Sequence, residues 1–269
     1  MDTQPDRDRA ITQAGYYDHY WSGTSGWRPP AGMDSDLACW LSYLVCPETA
    51  VIDIGCGDGS RYADYLISAG VKVHGLDVSN VAVLAARELG IEAQLASLDR
   101  KLPVPDEEFD SAICLEVLEH LVEPEFTAKE IYRVLKPGGH LLVSVPNIAF
   151  WPVRIELLLT GHFNPKGSPV TERRYPWRDP HLRFFNSLSL RNMLLDAGFV
   201  IKRQGGLETQ FLEVAGLKRI LQLKVTDPVQ SVLRRIGSRF YTLLARRCVI
   251  LVQKPGKQNP PRSGPMGYS

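Results

Sequence analysis

The stretch VIDIGCGDGS, residues 51–60, limits the fold of this chain more than any other part of the sequence. A short apolar run that carries Asp53 leads directly into three glycines at alternate positions, Gly55, Gly57 and Gly59. Glycine accepts positive φ angles and lets a ligand come close to the backbone, so the loop predicts a binding site at the end of a strand. The third glycine comes one residue earlier than in the dinucleotide pattern G-x-G-x-x-G, so the loop alone does not define the ligand.

The chain around this loop alternates between short apolar runs and helical patterns. The apolar runs lie at 50–54, 71–76, 111–115, 140–145, 199–201 and 248–252, and the helical patterns lie at 59–69, 79–89, 123–135 and 187–197. Mostly continuous apolar runs are typical of strands covered on both faces, and their alternation with helices predicts a doubly wound parallel sheet. Ligands bind beyond the carboxyl ends of such strands. Asp77 follows the second run, twenty residues after Gly57, where a ribose diol needs a carboxylate acceptor.

Composition narrows the class of protein further. With 269 residues, of which 44% are hydrophobic and 23% charged, the chain is expected to form one globular domain. The net charge of +1 argues against nucleic acid as a partner. The five cysteines form no CxxC pair, no segment approaches eighteen apolar residues, and no secretion signal is recognisable, so a cytoplasmic location is expected. The tail at 256–269 is rich in Pro, Gly and Ser and is predicted to be disordered.

Several segments carry a family resemblance when they are taken in order. The loop DIGCGDG, Asp77, FDSAICLEVLEH at 109–120 and LKPGG at 135–139 resemble the class I S-adenosylmethionine-dependent methyltransferases, from about Tyr16 to Pro255. The resemblance implies one domain over 1–255. Its fold would be a Rossmann-like, seven-stranded, mostly parallel doubly wound sheet with helices on both faces and an antiparallel last strand at 248–253. S-adenosylmethionine is the implied cofactor.

The same resemblance assigns residues to the cofactor. It implies cofactor binding by Tyr20, Asp53, Gly55, Cys56, Gly57, Asp77, Val78, Ser97, Leu98, Leu115 and Glu116. The glycine loop would pass the methionine portion, Asp77 would hold the ribose hydroxyls, and Ser97 and Leu98 would meet the adenine. Many relatives carry an aspartate where Ser97 stands, and Asp99 is the alternative for that contact. A tyrosine-rich helical segment at about 11–45 is interpreted as a lid over the cofactor.

Two insertions are interpreted as acceptor-binding parts of the domain. The first, at about 151–186, is long for a connection in a compact fold and contains His181, the candidate general base. Its end, DPHLRFFNSLSLRNMLLDAGF, resembles a branch associated with sugar, polysaccharide and lipid-linked glycan assembly, and ubiquinone-type O-methyltransferases share the plan. The predicted reaction is therefore O-methylation of a sugar, a glycan or another small hydroxylated biosynthetic intermediate.

The second insertion, at about 206–246, carries apolar residues at helical spacing with arginines between them. Such a basic amphipathic helix, here at 228–247, can lie on an anionic membrane or pack on its own domain or on a twin subunit. Peripheral membrane contact and a homodimer therefore both stay open.

An E-x-x-E-H pattern allows a metal-dependent alternative. Glu116, Glu119 and His120, with His181 sixty-one residues after His120, resemble the metal site of small-RNA 3′-terminal ribose methyltransferases. If 116–121 is a helical turn, the two glutamates share a face, and the four side chains could hold Mg²⁺ or Mn²⁺. V-L-E-H is also widespread in metal-free relatives, so a metal-free site with His181 as base is the preferred interpretation. A ribose 2′-O-methyltransferase of RNA and a non-catalytic cofactor-binding scaffold subunit are the alternatives.

Overall fold

A single seven-stranded sheet organises the part of the chain that the structure describes. The computed structural model describes residues 12–22, 33, 35–163, 180–209 and 240–256. In chain order the strands are β1 Ala50–Ile54, β2 Lys72–Asp77, β3 Glu92–Leu95, β4 Phe109–Leu115, β5 Leu135–Pro146, β6 Val200–Thr209 and β7 Ala245–Gln253. Their order across the sheet is β3-β2-β1-β4-β5-β7-β6. Neighbouring strands from β3 to β5 are parallel, and β7 is antiparallel to both β5 and β6.

This topology confirms the predicted fold class and locates the ligand crevice. From β1 the chain moves outward to β2 and β3, and it then returns to the other side of β1 to form β4. The point between β1 and β4 is therefore a topological switch point, where open α/β sheets bind ligands beyond the carboxyl ends of their strands. The glycine loop follows β1, and Glu116 follows β4, so both stand at this crevice.

Helices cover both faces of the sheet. They are α1 Gln13–Trp21, α2 Ser35–Leu41, α3 Ala63–Ser68, α4 Asn80–Glu88, α5 Pro124–Val134, α6 Trp151–Thr160, α7 Ser187–Asp196 and α8 Tyr241–Leu244, with a 3-10 turn at Leu118–His120. Two helix starts that matter for the site are capped by side chains. Ser79 accepts a hydrogen bond from Ala82 N at the start of α4, and Asn186 forms a capping box with Ser189 at the start of α7.

The apolar strands fill the core from both sides, as their continuous apolar sequences predict. Val51 of β1 packs with the cluster that contains Leu66 of α3, whereas its neighbour Ile52 packs with the cluster that contains Ile131 of α5. All four side chains are almost completely buried. Each buried side chain of this size contributes roughly 1.5–3 kcal/mol through the hydrophobic effect, and the result is a sheet rigid enough to fix the loops at its edge.

Two strands differ from the sequence expectation because they lie at the edges of the sheet. The strand β3, Glu92–Leu95, was not predicted, since only Ala93 of its four residues is buried. The strand β6 continues to Thr209, far beyond the predicted 199–201, through the polar sequence KRQGGLET. In both strands the hydrogen bonds to one neighbouring strand stabilise a segment that has little apolar signal of its own.

The boundaries of the predicted insertions and lid are different in the structure. The helix α6 occupies residues 151–160 of the predicted acceptor loop, and 164–179 lie outside the described residues. Of the predicted insertion at 206–246, the first residues belong to β6 and the last to β7, while 210–239 lie outside the described residues. The amphipathic helix at 228–247 therefore stays mostly a prediction. The predicted lid segment contains two helices, α1 and α2.

No helix in the described ranges is long and apolar enough to pass through a membrane. The predicted disordered tail, from residue 257 onward, lies outside those ranges.

Candidate active site

The glycine loop is fixed to the end of β2 by backbone hydrogen bonds. Gly55 N and Cys56 N both donate to Leu76 O, at 2.7 and 3.1 Å, and Gly57 N donates to Asp77 Oδ2 at 2.9 Å. Gly55 and Gly57 have φ angles of 74° and 55°, in the region that favours glycine. A Cβ on Gly55 would lie 2.4 Å from a methyl carbon of Val117, so a side chain cannot fit there.

Asp77 is a buried carboxylate at the junction of β2 and α4. Its Oδ1 accepts a hydrogen bond from Ser79 N at 2.9 Å, and its Oδ2 accepts the bond from Gly57 N. Burial raises the pKa of Asp77, and these backbone donors oppose that effect. The side chain that caps α4 is Ser79, not Asp77, so the carboxylate is not explained as an ordinary helix cap. Val78, between them, is half-buried.

Asp53 is a deeply buried acid of the crevice, with 1% of its surface exposed. Both of its carboxylate oxygens accept the Tyr62 hydroxyl at 2.9 Å. Burial raises the pKa of Asp53 to about 7, against the effect of the Tyr62 hydrogen bond, and the nearby charge of Asp77 raises it further. A cation beside Asp53 would favour its ionised form. Because Asp53 and Asp77 both stand at this edge, the crevice suits a positively charged ligand group.

Cys56 does not have the environment of a reactive thiol. Its side chain is 7% exposed and lies against Gly75, where an added Cβ would be only 2.7 Å from the sulfur. Burial, followed by the charges of Asp53 and Asp77, raises the pKa of the Cys56 thiol. A protonated thiol is a poor nucleophile, which fits a packing role for Cys56 in the loop.

The segment assigned to the adenine lies beside the start of α5. Leu98 is buried and Ser97 is half-buried, and Thr127 Oγ1 donates to Leu98 O at 2.8 Å. Asp99 Oδ1 accepts hydrogen bonds from Val122 N at 2.9 Å and Glu123 N at 3.0 Å. The Asp99 carboxylate therefore holds the chain before α5, and this use competes with the predicted adenine contact. Leu115, at the end of β4, is buried.

The helix α1 lies across the crevice. A Cβ on Gly57 would be 2.5 Å from Trp21 Cζ2, so the indole of α1 touches the glycine loop directly. Tyr20, a predicted cofactor residue, packs edge to face on Trp21 with ring centroids 5.1 Å apart. At the other side of the crevice the Tyr17 ring packs edge to face on His120 at 5.8 Å, and Gln13 Nε2 donates to His120 O at 3.2 Å.

The Tyr17 hydroxyl is a buried polar group inside the crevice. Within the described part of the chain, no group forms a hydrogen bond with this oxygen. Burial raises the pKa of Tyr17, and the charges of Tyr16, Glu119 and Asp77 add to the effect, so the hydroxyl keeps its proton and can donate. A buried donor of this kind is expected to find a partner in a bound ligand.

Glu116 does not join the histidines, contrary to the four-residue interpretation. That interpretation assumed a helical turn over 116–121, but the 3-10 turn contains only Leu118–His120, and Glu116 has a φ of 60°. Its carboxylate accepts hydrogen bonds from Ser144 Oγ and from Arg247 Nε, each at 2.8 Å. Arg247 also binds Glu208, the second glutamate with a left-handed backbone in this region. No local pattern in the sequence signals a pair separated by 131 residues.

Glu119, His120 and His181 do come together. Glu119 Oε1 lies 3.7 Å from His120 Nε2 and 3.8 Å from His181 Nε2, and the two imidazole centroids are 4.6 Å apart. The Glu119 side chain is 2% exposed and that of His181 is 7% exposed. The segment after His181 is held in place because Leu182 N and Arg183 N donate to Glu119 O at 2.8 and 3.0 Å.

The second nitrogen of His120 restricts what this cluster can do. His120 Nδ1 lies 3.2 Å from Pro180 O, and a carbonyl can only accept, so Nδ1 is the donor. In a neutral His120 the lone pair of Nε2 then faces Glu119. One ligand atom from each of Glu119, His120 and His181 lies within 4.8 Å of the others. Such an arrangement can share a proton with a substrate or hold a cation.

Comparisons with known proteins identify the family of this chain. A family model described as a methyltransferase domain matches residues 33–204, more than half of the chain. The chain therefore belongs to that family, within the class I S-adenosylmethionine-dependent methyltransferases, and S-adenosylmethionine is its cofactor.

Individual relatives are more distant. The chain is 32% identical over 160 residues to a probable S-adenosylmethionine-dependent methyltransferase of Mycolicibacterium smegmatis, covering 58% of this chain and 54% of that protein. It is 33% identical over 103 residues to the ubiquinone biosynthesis O-methyltransferase of Alkalilimnicola ehrlichii, covering 36% of this chain and 41% of that protein. The chain thus spans about half the length of these relatives. A crystal structure of a SAM-dependent methyltransferase from Archaeoglobus fulgidus matches with a TM-score of 0.58 over 82% of this chain and 92% of that one, at 17% identity, which shows the fold alone.

Proposed function

We propose that this protein transfers the methyl group of S-adenosylmethionine to a hydroxyl oxygen of a small biosynthetic intermediate, such as a sugar or a glycan. The observation that carries the proposal is the pairing of His181 Nε2 with the buried Glu119 carboxylate, 3.8 Å away. A hydroxyl has a high pKa and needs a base before it attacks well, whereas a neutral amine already carries a nucleophilic lone pair. The relatives named as ubiquinone biosynthesis O-methyltransferases support the same acceptor atom.

The proposed reaction assigns the methyl group, the proton and the stabilising charge to different groups. When bound, S-adenosylmethionine would supply an activated methyl group: as the acceptor oxygen bonds to the methyl carbon, the electrons of the carbon–sulfur bond would stay on sulfur. The proton of the acceptor hydroxyl passes to His181, and the negative charge of Glu119 stabilises the imidazolium that forms. Alignment of acceptor, methyl and sulfur in a dry crevice supplies most of the remaining acceleration. The protein's task is therefore to orient the acceptor and accept one proton.

Tyr17 adds a second polar contact for the same acceptor. Its buried hydroxyl keeps its proton and lies on α1 beside the ring of His120. An oxygen that donates its proton to His181 still has two lone pairs. One of them can accept the Tyr17 hydrogen bond while the other attacks the methyl group. The proposed acceptor is thus bound by two groups, His181 and Tyr17.

A metal-assisted version of the reaction is the second candidate. It is favoured by the convergence of Glu119, His120 and His181 and by the Pro180 carbonyl that orients His120, since metal-binding imidazoles usually donate their other N–H in this way. These three side chains fit a divalent ion, although Glu116 is engaged with Arg247. A bound ion would supply positive charge that acidifies the acceptor hydroxyl. Vicinal hydroxyls, including those of an RNA ribose, would suit this version.

One labelling experiment distinguishes these possibilities. The purified protein is incubated with S-[methyl-²H₃]adenosylmethionine and either a small-molecule extract of the source cells or their total RNA. Mass spectrometry then finds molecules that carry three deuterons, and NMR assigns the labelled atom. We expect an oxygen-bound trideuteromethyl group on a hydroxylated small molecule. Label on nitrogen or carbon would contradict the proposal. Label on an RNA ribose would favour the RNA alternative, and no label anywhere would favour a scaffold role.

The role of a metal is decided in the same assay. One arm contains a chelator, and a second arm restores Mg²⁺ or Mn²⁺ to the chelated protein. Equal rates in both arms, with no metal by elemental analysis, support the metal-free mechanism with His181 as base. A rate that disappears in chelator and returns with the ion supports the metal-assisted candidate.

A further inference from the structure

The helix α1 covers the cofactor crevice with little apolar anchoring. None of its nine residues is fully buried, although its side chains reach the glycine loop on one side and His120 on the other. A helix with so small a buried face gains little from the hydrophobic effect. Specific contacts of its side chains are therefore expected to contribute to its position over the crevice.

The most direct of these contacts is made by Asp18. Asp18 Oδ1 accepts a hydrogen bond from Ser79 Oγ at 2.7 Å and a longer one from Val81 N at 3.3 Å. Ser79 is the cap of α4, and its hydroxyl oxygen accepts from Ala82 N at 3.2 Å. The serine hydroxyl thus accepts from its own helix and donates to α1, so its single proton is committed to Asp18.

Ser79 also connects this contact to the cofactor-binding carboxylate. Ser79 N donates to Asp77 Oδ1 at 2.9 Å, and Asp77 Oδ2 accepts from Gly57 N at 2.9 Å. The ring of Trp21, one turn after Asp18 on α1, contacts Gly57. The five residues therefore form a closed circuit: the helix over the crevice is joined at one point to the start of α4 and at another to the glycine loop.

We infer that Asp18 is a positioning residue for the cofactor: its bond to Ser79 holds α1 across the crevice and restrains Ser79 beside Asp77. We expect S-adenosylmethionine to bind beside the glycine loop and Asp77, beneath α1. Its release then requires the contact between Asp18 and Ser79 to open. The inference concerns the cofactor and does not depend on the identity of the acceptor.

The charges of Asp18 and Asp77 predict how cofactor binding affects the position of α1. Asp18 and Asp77 are both acidic, and the charge of Asp18 contributes, after burial, to the raised pKa of Asp77. Two carboxylates in one crevice repel each other, and a cationic cofactor group relieves that repulsion. By linkage, if the closed position of α1 increases the affinity for the cofactor, then the bound cofactor must stabilise that position to the same extent. Cofactor binding should therefore close α1 more firmly.

The test measures how fast a bound cofactor product leaves the protein. Dissociation of S-adenosylhomocysteine is followed by stopped-flow fluorescence for the wild type, Asp18→Ala and Asp18→Asn. The alanine variant loses the acceptor for Ser79, and we expect dissociation about tenfold faster, as for the loss of one hydrogen bond to a charged group. The asparagine variant keeps an oxygen acceptor, so its rate should stay within about threefold of the wild type. Asp64→Ala, an exposed aspartate on α3, is the matched control.

A double-mutant cycle separates this role from a general effect on the fold. In a Ser79→Ala background, Asp18→Ala should cause a much smaller change, because the Ser79 hydroxyl is already gone and only the longer bond from Val81 N is left to lose. Thermal unfolding of each variant is measured in parallel. Asp18→Ala should leave the melting temperature nearly unchanged because α1 is peripheral, whereas Ser79→Ala should lower it because it also removes the cap of α4. An alanine variant that releases the product at the wild-type rate would overturn the inference. So would an asparagine variant as fast as alanine, or additive effects in the cycle. A wild type that binds no S-adenosylhomocysteine would instead overturn the cofactor assignment itself.

Discussion

The crevice has two halves that are built in different ways. In the half that we assign to the cofactor, Asp53, the glycine loop and Asp77 lie within 25 residues of one another, and backbone groups make most of the connections. In the half that we assign to the acceptor, Glu119 meets His181 from sixty-two residues away, and Glu116 meets Arg247 across 131. The first half is a local structure, whereas the second depends on the packing of distant segments.

This difference has a chemical meaning. The cofactor is the same molecule throughout the family, so a short loop with fixed backbone geometry can serve it in every member. Acceptors differ among relatives, and side chains brought in by later segments can change without disturbing the loop. Substitutions in the cofactor half should therefore change affinity for the cofactor, whereas substitutions in the acceptor half should change turnover.

The largest effect is expected for His181→Ala. Loss of the base should lower turnover about 10²- to 10⁴-fold, because that is the usual contribution of general acid–base catalysis. Affinity for S-adenosylmethionine, measured by calorimetry, should stay within about threefold, since removal of a base does not remove the cofactor's own contacts. His162→Ala, at an exposed histidine outside the cluster, is the control. Wild-type turnover in His181→Ala would show that another group removes the proton.

The converse experiment is Asp77→Ala. Its carboxylate is expected to make two charge-assisted bonds to the ribose, each worth roughly 1.5–3 kcal/mol, so cofactor binding should weaken at least about tenfold. The fold should persist, because β2 is held by its neighbours in the sheet. Calorimetry measures the affinity for the cofactor, and circular dichroism checks that the fold persists. Unchanged affinity would remove Asp77 from the cofactor site.

The dependence of cofactor affinity on pH provides a third test, which concerns the half assigned to the cofactor. Because burial raises the pKa of Asp53 to about 7, the carboxyl is largely protonated below that pH in the free protein. The ammonium group of S-adenosylhomocysteine favours the ionised form, so binding should release protons below pH 7 and affinity should rise from pH 5 to pH 7. We expect a rise of about tenfold, with a smaller contribution of the same sign from Asp77.

Calorimetry in buffers of different ionisation enthalpy measures this proton release. Asp53→Asn should flatten the dependence, and a wild-type affinity that falls between pH 5 and 7 would contradict the assignment. The unliganded protein gives an independent check of the sign. Asp53 is protonated in the folded chain up to about pH 7 but ionises near pH 3.8 when unfolded. Its contribution to the free energy of unfolding should therefore decrease as the pH rises from about 3.8 to about 7.

The last prediction concerns stability rather than activity or affinity, and it is made for Arg247→Gln in the half assigned to the acceptor. This variant leaves Glu116 and Glu208 without their shared guanidinium and should lower the free energy of unfolding by about 1–3 kcal/mol. Arg246→Gln is the control, because Arg246 lies farther from Glu208, at 3.7 Å, and is more exposed than Arg247, and exposed ion pairs contribute about 0–1 kcal/mol. Urea unfolding compares the two. Equal losses of stability would mean that the Arg247 cluster does not hold the acceptor half together.

The same contrast explains what the sequence could predict. The glycine loop and Asp77 were recognisable because positive φ angles and close packing allow only glycine, and such constraints leave a local pattern. The proximity of Glu119 and His181 was suggested only by resemblance, and Glu116 was assigned to the wrong neighbours. Its left-handed backbone and its partner Arg247 depend on the pairing of β5 with β7, which no local pattern encodes.

The edge strands and the helix α1 also contain contacts that could not be predicted from the sequence. The tyrosines of α1 indicated a lid, but the contact of Asp18 with Ser79 joins two polar residues that look ordinary in the sequence. Polar strands such as β3 escaped prediction for a related reason, since their stability comes from a neighbouring strand. Short-range constraints were therefore predictable, and contacts that depend on the finished sheet were not.

The central claim is that the two halves meet at the transferred methyl group, and a crystal structure with S-adenosylhomocysteine tests it most directly. If His181 receives the proton of an acceptor that attacks in line, the cofactor sulfur must lie no more than about 8 Å from a ring nitrogen of His181. The expected structure has the ribose on Asp77 and the sulfur within that distance. A cofactor bound with its sulfur directed away from Glu119 and His181, beyond that distance, would contradict the account.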